Sequence, residues 1–121
     1  MSKRILVLDD DTQLCALLAE ALSDEGYRVL AYTSAGTALA EQKRGEGVDL
    51  VVLDVYFPEM SGVTFLKRYR ELDGHAKALI ITGASPQHTA VRDANADGFL
   101  AKPFDLEGFL RAVRDLVQDS A

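Results

Sequence analysis

Four short apolar runs punctuate this chain, and each ends in a polar residue. Ile5-Leu6-Val7-Leu8 runs into Asp9, Asp10 and Asp11, and Leu50-Val51-Val52-Leu53 runs into Asp54. Leu79-Ile80-Ile81 ends at Thr82, and Phe99-Leu100-Ala101 ends at Lys102. The first two runs are continuous Val, Ile and Leu with no polar alternation, the pattern of a parallel strand buried on both faces. Open parallel sheets gather their ligand-binding groups at the carboxyl ends of the strands. If these runs belong to one sheet, the acids, the hydroxyl and the lysine share one edge. Clustered carboxylates with one ammonium and one hydroxyl suit a hard cation and a phosphoryl group.

Helical patterns separate the runs. Thr12 to Glu25 carries Leu14, Leu18, Ala21 and Leu22 at helical spacing, and Gly26 stops it. Arg28 to Tyr32 reads as a strand, and Ser34 to about Arg44 as a second helix. A turn-rich loop, Phe57 to Gly62, precedes a third helix from about Val63 to Leu72. A fourth helix is expected from about Pro86 to Asn95, and a last one from Asp105 to about Gln118. Strict alternation of strand and helix predicts the α/β class: a three-layer, doubly wound (βα)5 domain around a parallel sheet. With strand order 2-1-3-4-5, Asp9, Asp10, Asp54, Thr82 and Lys102 all fall at the same edge.

Composition bounds the function. The 121 residues suit one domain, taken as 1–121, and contain no internal repeat or linker. A net charge of −6 argues against general affinity for nucleic acid or anionic membranes. Cys15 is the single cysteine, so no internal disulfide forms and a reducing, cytoplasmic setting is expected. No apolar stretch approaches the roughly 18 residues that a membrane span needs, and the N-terminus lacks the pattern of a signal peptide.

Taken in order, these pieces resemble the response-regulator receiver domain of two-component signalling, of the chemotaxis-receiver kind, over essentially the whole chain. The matching segments are Ile5 to Asp11, Asp49 to Asp54, Pro58, Gly62, Leu79 to Gly83, and Lys102-Pro103-Phe104. The resemblance implies a flavodoxin-like fold. It also implies that Asp54 is the phosphoacceptor and that Thr82 and Lys102 bind phosphoryl oxygens. Asp9, Asp10, Asp54 and the Tyr56 backbone carbonyl would hold magnesium or manganese, with Asp9 acting through water. Thr82 and Phe99 would form the switch pair, and Lys102-Pro103 would be a cis peptide. The implied partners are a histidine kinase or phosphotransfer protein as donor, and a downstream protein or fused output domain as target. The domain would catalyse its own phosphorylation, acting as a switch rather than a conventional enzyme, and would be a monomer or weak dimer.

The elementary chemistry agrees with that resemblance. A carboxylate can attack phosphorus and form an aspartyl phosphate, and phosphoryl transfer depends on positioning and charge neutralisation. Asp11 and Thr12 read instead as the start of a helix, since one carboxylate there suffices as a cap. Cys15 reads as core packing. On the last helix, Phe109, Leu110, Val113, Leu116 and Val117 form a stripe that is mostly core.

Some positions depart from the family pattern. Phe99 lacks the hydroxyl of the tyrosine often found there, and Asn95 stands where glycine is usual. The stretch from Gly83 to Ala94 is short, so a truncated or irregular fourth helix is expected. Tyr56 and Ala84 stand where the family flanks its phosphoryl group. Their bulk and lack of polarity, respectively, predict slow self-dephosphorylation.

Two other classes compete. A haloacid-dehalogenase-type phosphatase also follows its first strand with an aspartate, but Gln13 stands where its motif places threonine. An interaction-only pseudo-receiver would not need the full set of Asp9, Asp10, Asp54, Thr82 and Lys102.

Overall fold

The computed structural model describes residues 3–42, 47–55, 60–73, 76–83 and 95–118. The strands are β1 (Arg4–Leu8), β2 (Arg28–Tyr32), β3 (Leu50–Leu53), β4 (Lys77–Thr82) and β5 (Gly98–Ala101). The described helices are α1 (Thr12–Asp24), α2 (Ala35–Gln42), α3 (Gly62–Asp73) and α4 (Leu106–Gln118). Every strand pairing is parallel, and the sheet order is β2-β1-β3-β4-β5. The expected helix from Pro86, the Tyr56 carbonyl and Ala84 lie outside the described residues.

Alternation along the central strands builds two cores. Leu6, Leu8, Val51, Leu53, Ala78 and Ile80 face one side, where Ala35, Ala38, Phe65, Leu66 and Tyr69 of α2 and α3 cover them. Ile5, Val7, Leu50, Val52, Leu79 and Ile81 face the other side, against Cys15, Leu18 and Leu22 of α1 and Phe109, Val113 and Val117 of α4. Residues i and i+2 share a face in a strand, so one uninterrupted apolar run supplies both cores. Burial of each such Leu, Ile or Phe stabilises the fold by about 1.5–3 kcal/mol. Edge strands β2 and β5 are more exposed, and their sequences are correspondingly less uniform.

Side chains cap the helix starts, and two of those starts lie one residue inward from the sequence expectation. The Asp11 carboxylate accepts from the backbone N–H groups of Gln13 and Leu14, both at 3.1 Å. Ser34 Oγ accepts from Thr37 N–H, Ser61 Oγ from Thr64 N–H, and Asp105 Oδ1 from Gly108 N–H. Ser34 and Asp105 therefore precede their helices, because a cap residue keeps an extended backbone while its side chain satisfies an orphan donor.

Two backbone features position the functional edge. At the start of α3, the Gly62 N–H donates to the Val55 carbonyl at 2.7 Å. A Cβ on Gly62 would overlap the Asp54 carbonyl oxygen and lie 2.7 Å from the Val55 Cα. At the other end of the same helix, Arg70 donates to the Asn95 carbonyl at 3.0 Å and pairs with Asp97 at 3.4 Å. Asn95 takes the left-handed backbone, φ +52°. Asparagine tolerates that region better than most residues, so it can replace glycine ahead of β5. Replacing Gly62 with Ala is expected to destabilise the fold by roughly 1–3 kcal/mol through this overlap. Urea unfolding measures that loss, and chemical-shift changes at Asp54 would show the backbone after β3 being displaced.

Candidate functional site

Strand register brings the polar residues together. Leu8 pairs with Leu53, so Asp9 and Asp54 leave adjacent strands at the same level. Thr82 ends β4 and pairs with Ala101, and Lys102 follows at once, its backbone N–H donating to the Thr82 carbonyl at 2.9 Å. The Lys102 Nζ turns back over the sheet edge. It lies 3.0 Å from Asp54 Oδ2 and 3.2 Å from Asp9 Oδ2. One ammonium thus bridges the ends of the two central strands, across 93 residues of chain to Asp9. The Lys102-Pro103 peptide is cis.

Burial ranks the carboxylates. Asp9 is fully buried, Asp54 is 8% exposed and Thr82 is 1% exposed. Asp10 is exposed. The other Asp9 oxygen accepts the Asp11 N–H at 2.9 Å, and the Asp9 N–H donates to the Tyr32 carbonyl at 3.2 Å. Burial raises the Asp9 carboxyl above its ordinary 3.8, outweighing the Asp11 N–H and the Lys102 charge that favour ionisation. Lys102 moves in the direction that favours its charge: burial alone would lower its pKa, but the hydrogen bond to Asp54 and the charges of both carboxylates raise it above 10.5. Burial therefore disfavours the charge on Asp9, while the two carboxylates hold Lys102 charged.

The donors present fit a hard cation in kind, being carboxylate oxygens. Asp9 and Asp54 converge on one point, now occupied by the ammonium. Among the described residues no group of three or more His, Cys, Asp or Glu side chains is assembled to hold a metal. Asp9, assigned an indirect role by the resemblance, is the most deeply buried of the acids. Phe99 is half-buried and packs on the α2–α3 core, in register with Ile80. Cys15 is buried, and its Sγ donates to the Tyr32 carbonyl at 3.5 Å. Residue spacing does not reveal that Lys102 reaches Asp9 as well as Asp54, because that depends on the path of the turn after β5.

A five-stranded parallel sheet with paired acids, a hydroxyl and a lysine on its carboxyl edge defines a phosphoryl-type receiver fold, and comparison with known proteins agrees. Residues 5–114 match the model of the response regulator receiver domain, and the chain belongs to that family. It is 33% identical over 116 residues to the chemotaxis protein CheY of Bacillus subtilis, covering 93% of this chain and 96% of that protein. It is 32% identical over 120 residues to the response regulator receiver protein CpdR of Brucella abortus, covering 95% and 97%. The crystal structure of a CheY-like receiver domain protein from Methanospirillum hungatei superposes with a TM-score of 0.88 at 28% identity, over 98% of this chain and 96% of that one. The protein is thus a CheY-like receiver domain of two-component response regulators.

Two substitutions test the charge balance. Asp9→Asn keeps the acceptor for the Asp11 N–H and removes a buried charge, so metal-free stability should rise by on the order of 1 kcal/mol. Because the folded Asp9 pKa is raised, this gain should be absent below pH 3.8, grow as pH rises through the folded value, and then level off. Lys102→Met strands two carboxylates and should cost about 2 kcal/mol, below the roughly 3–5 kcal/mol of a fully buried pair because Lys102 is partly solvated. The advantage of wild type over Lys102→Met should be full below pH 10.5 and fade as pH climbs through the raised folded value. Urea unfolding across pH, without divalent ions, measures both.

Proposed function

We propose that Asp54 is the phosphoacceptor of a switch, and that Lys102 and Thr82 receive the phosphoryl oxygens. The observation that carries this reading is the convergence of Asp54 and Asp9 on the Lys102 ammonium at 3.0 and 3.2 Å. An Asp54 oxygen attacks the phosphorus of a phosphohistidine. The phosphorus–oxygen bond forms, the phosphorus–nitrogen bond breaks, and the imidazole leaves with a proton. Lys102 then trades its carboxylate contact for a phosphoryl oxygen and keeps its charge at neutral pH. Asp9, Asp10, Asp54 and the Tyr56 carbonyl are the groups that would hold magnesium or manganese. When bound, the ion neutralises the carboxylates and the incoming phosphoryl group.

The donor in this reading is a histidine kinase or phosphotransfer protein in the cytoplasm. A groove beside Lys102 suits its docking. Leu14, Leu17 and Leu18 of α1 face Pro103, Phe104 and Leu106 across it. Leu17 and Leu106 are 51% and 38% exposed, an apolar rim next to the acceptor. After phosphorylation, Thr82 moves toward the phosphoryl group and Phe99 follows it inward. The β5–α4 surface then changes for a downstream protein or a fused output domain. Such a modification biases an existing equilibrium rather than building a new fold.

Acetyl phosphate with magnesium should label wild type but not Asp54→Asn; label on the variant at the wild-type rate would refute the acceptor. Leu17→Glu should slow transfer from a phosphorylated histidine phosphotransfer domain by about tenfold, equivalent to roughly 1.4 kcal/mol. Its labelling by acetyl phosphate should match wild type, because the small donor does not use the groove.

A further inference from the structure

Lys102 reaches Asp9 and Asp54 from the end of β5, and β5 is a weakly secured strand. It has four residues, lies at the sheet edge and pairs with β4 alone. None of its side chains is fully buried; Phe99 and Leu100 pack on opposite cores from half-buried positions. Packing does exclude a side chain at the place of Gly98, where a Cβ would lie 3.1 Å from Leu116 Cδ1 and 3.2 Å from Leu79 Cδ1. Exclusion alone does not hold the strand down.

Asp97 supplies the hold. Its N–H donates to the Ala78 carbonyl at 2.9 Å, and its Oδ2 accepts the Ala78 N–H at 2.8 Å. Backbone and side chain of one residue thus grip both polar backbone groups of one residue on β4. Arg70 stands behind this grip. It donates to the Asn95 carbonyl at 3.0 Å and pairs with the same Asp97 oxygen at 3.4 Å. At the far end of β5 the Lys102 N–H donates to the Thr82 carbonyl at 2.9 Å, and its Nζ meets Asp54 and Asp9 at 3.0 and 3.2 Å. Asp97 and Lys102 are therefore the two ends of one ladder, roughly 16 Å apart at the rise of an extended strand.

We propose that Asp97 is a positioning residue: by fixing the start of β5 on Ala78 it sets where Lys102 leaves the strand, and so places the ammonium over Asp54. Asp97 itself touches neither carboxylate of that cluster. Its side chain matters because backbone groups pair in any register, whereas a carboxylate aligned on Ala78 pairs in this one. A slip of one residue would turn every β5 side chain to the other face. Arg70 narrows the choice further by tying Asn95 and Asp97 to α3, the helix that begins against the Asp54 backbone. The effect on phosphoryl transfer rests on the reading of Asp54 as acceptor; the hold on Lys102 does not.

Residue-resolved amide exchange of the full chain, without phosphodonor, tests the hold. Asp97→Ala should speed exchange at the Lys102 amide by about tenfold more than at Leu6 and Val52, because β5 alone loses its anchor. Asp97→Asn keeps an oxygen for the Ala78 N–H and should recover most of the protection. Labelling by acetyl phosphate with magnesium tests the consequence. Asp97→Ala should slow it about fivefold, but should slow it no further once Lys102 is replaced by Met. Sites this far apart normally act independently, so loss of the effect in that background assigns it to Lys102. Should Asp97→Ala fail to fold, Arg70→Met takes its place, with the same pattern at smaller amplitude. Exchange at Lys102 that rises only in step with Leu6 and Val52 overturns the proposal. So does slowing that is undiminished in the Lys102→Met background. A wild type that takes no label refutes the acceptor reading instead, and the exchange result then decides this proposal alone.

Discussion

The Lys102 ammonium held between Asp9 and Asp54 is the interaction on which the functional edge depends. Two carboxylates at the ends of adjacent central strands, both nearly sealed from water, would repel each other without a cation. The lysine comes from the far side of the sheet, at the end of β5. Its position is fixed by the pairing of Thr82 with Ala101 and by the Thr82 carbonyl that holds the Lys102 N–H. Sheet order thus converts distant sequence positions into one charge cluster.

The surrounding structure keeps this cluster in place more than it supplies chemistry. Gly62 lets α3 begin in contact with the backbone of Asp54 and Val55, where any side chain would push that backbone away. The same helix ends in the Arg70 contacts to Asn95 and Asp97, and Asp97 Oδ2 also accepts the Ala78 N–H at 2.8 Å. One rigid helix therefore spans from the Asp54–Val55 backbone to the entrance of β5, the strand that carries Phe99 and leads to Lys102. On the opposite sheet face, Lys77 donates to the Leu116 carbonyl at 3.0 Å, placing a cation near the end of α4 where the helix dipole favours it.

Much of this was legible in the residues. The uninterrupted runs at Ile5 to Leu8 and Leu50 to Leu53 announced strands buried on both faces, and the helical spacing after each announced the crossovers. Their order in the sheet followed once the polar ends had to meet. Helix starts were less legible, because Ser34 and Asp105 look helical by composition and act as caps by backbone geometry. Side-chain reach was not legible at all. Nothing in the spacing distinguishes a lysine that touches one acid from a lysine that touches two. Nor does a stretch of three aspartates reveal that Asp9 is sealed, Asp10 exposed and Asp11 spent on a helix cap. Those three fates differ because a strand end, a bend and a cap point consecutive side chains in different directions.

The helix caps have an electrostatic consequence. In a parallel sheet with crossover helices, each helix begins where its strand ends, so the capped starts at Asp11, Ser34, Ser61 and Asp105 all face the carboxyl edge. The partial positive charges of four aligned backbones converge there. Those partial charges offset part of the repulsion among the five aspartates, Asp9, Asp10, Asp11, Asp54 and Asp105, that share this edge with Lys102. Asp11 and Asp105 commit their carboxylates directly to two of the four helix starts. An edge so rich in acid is thus held together by backbone dipoles as well as by its one lysine, and loses part of that support wherever a helix fails to begin there.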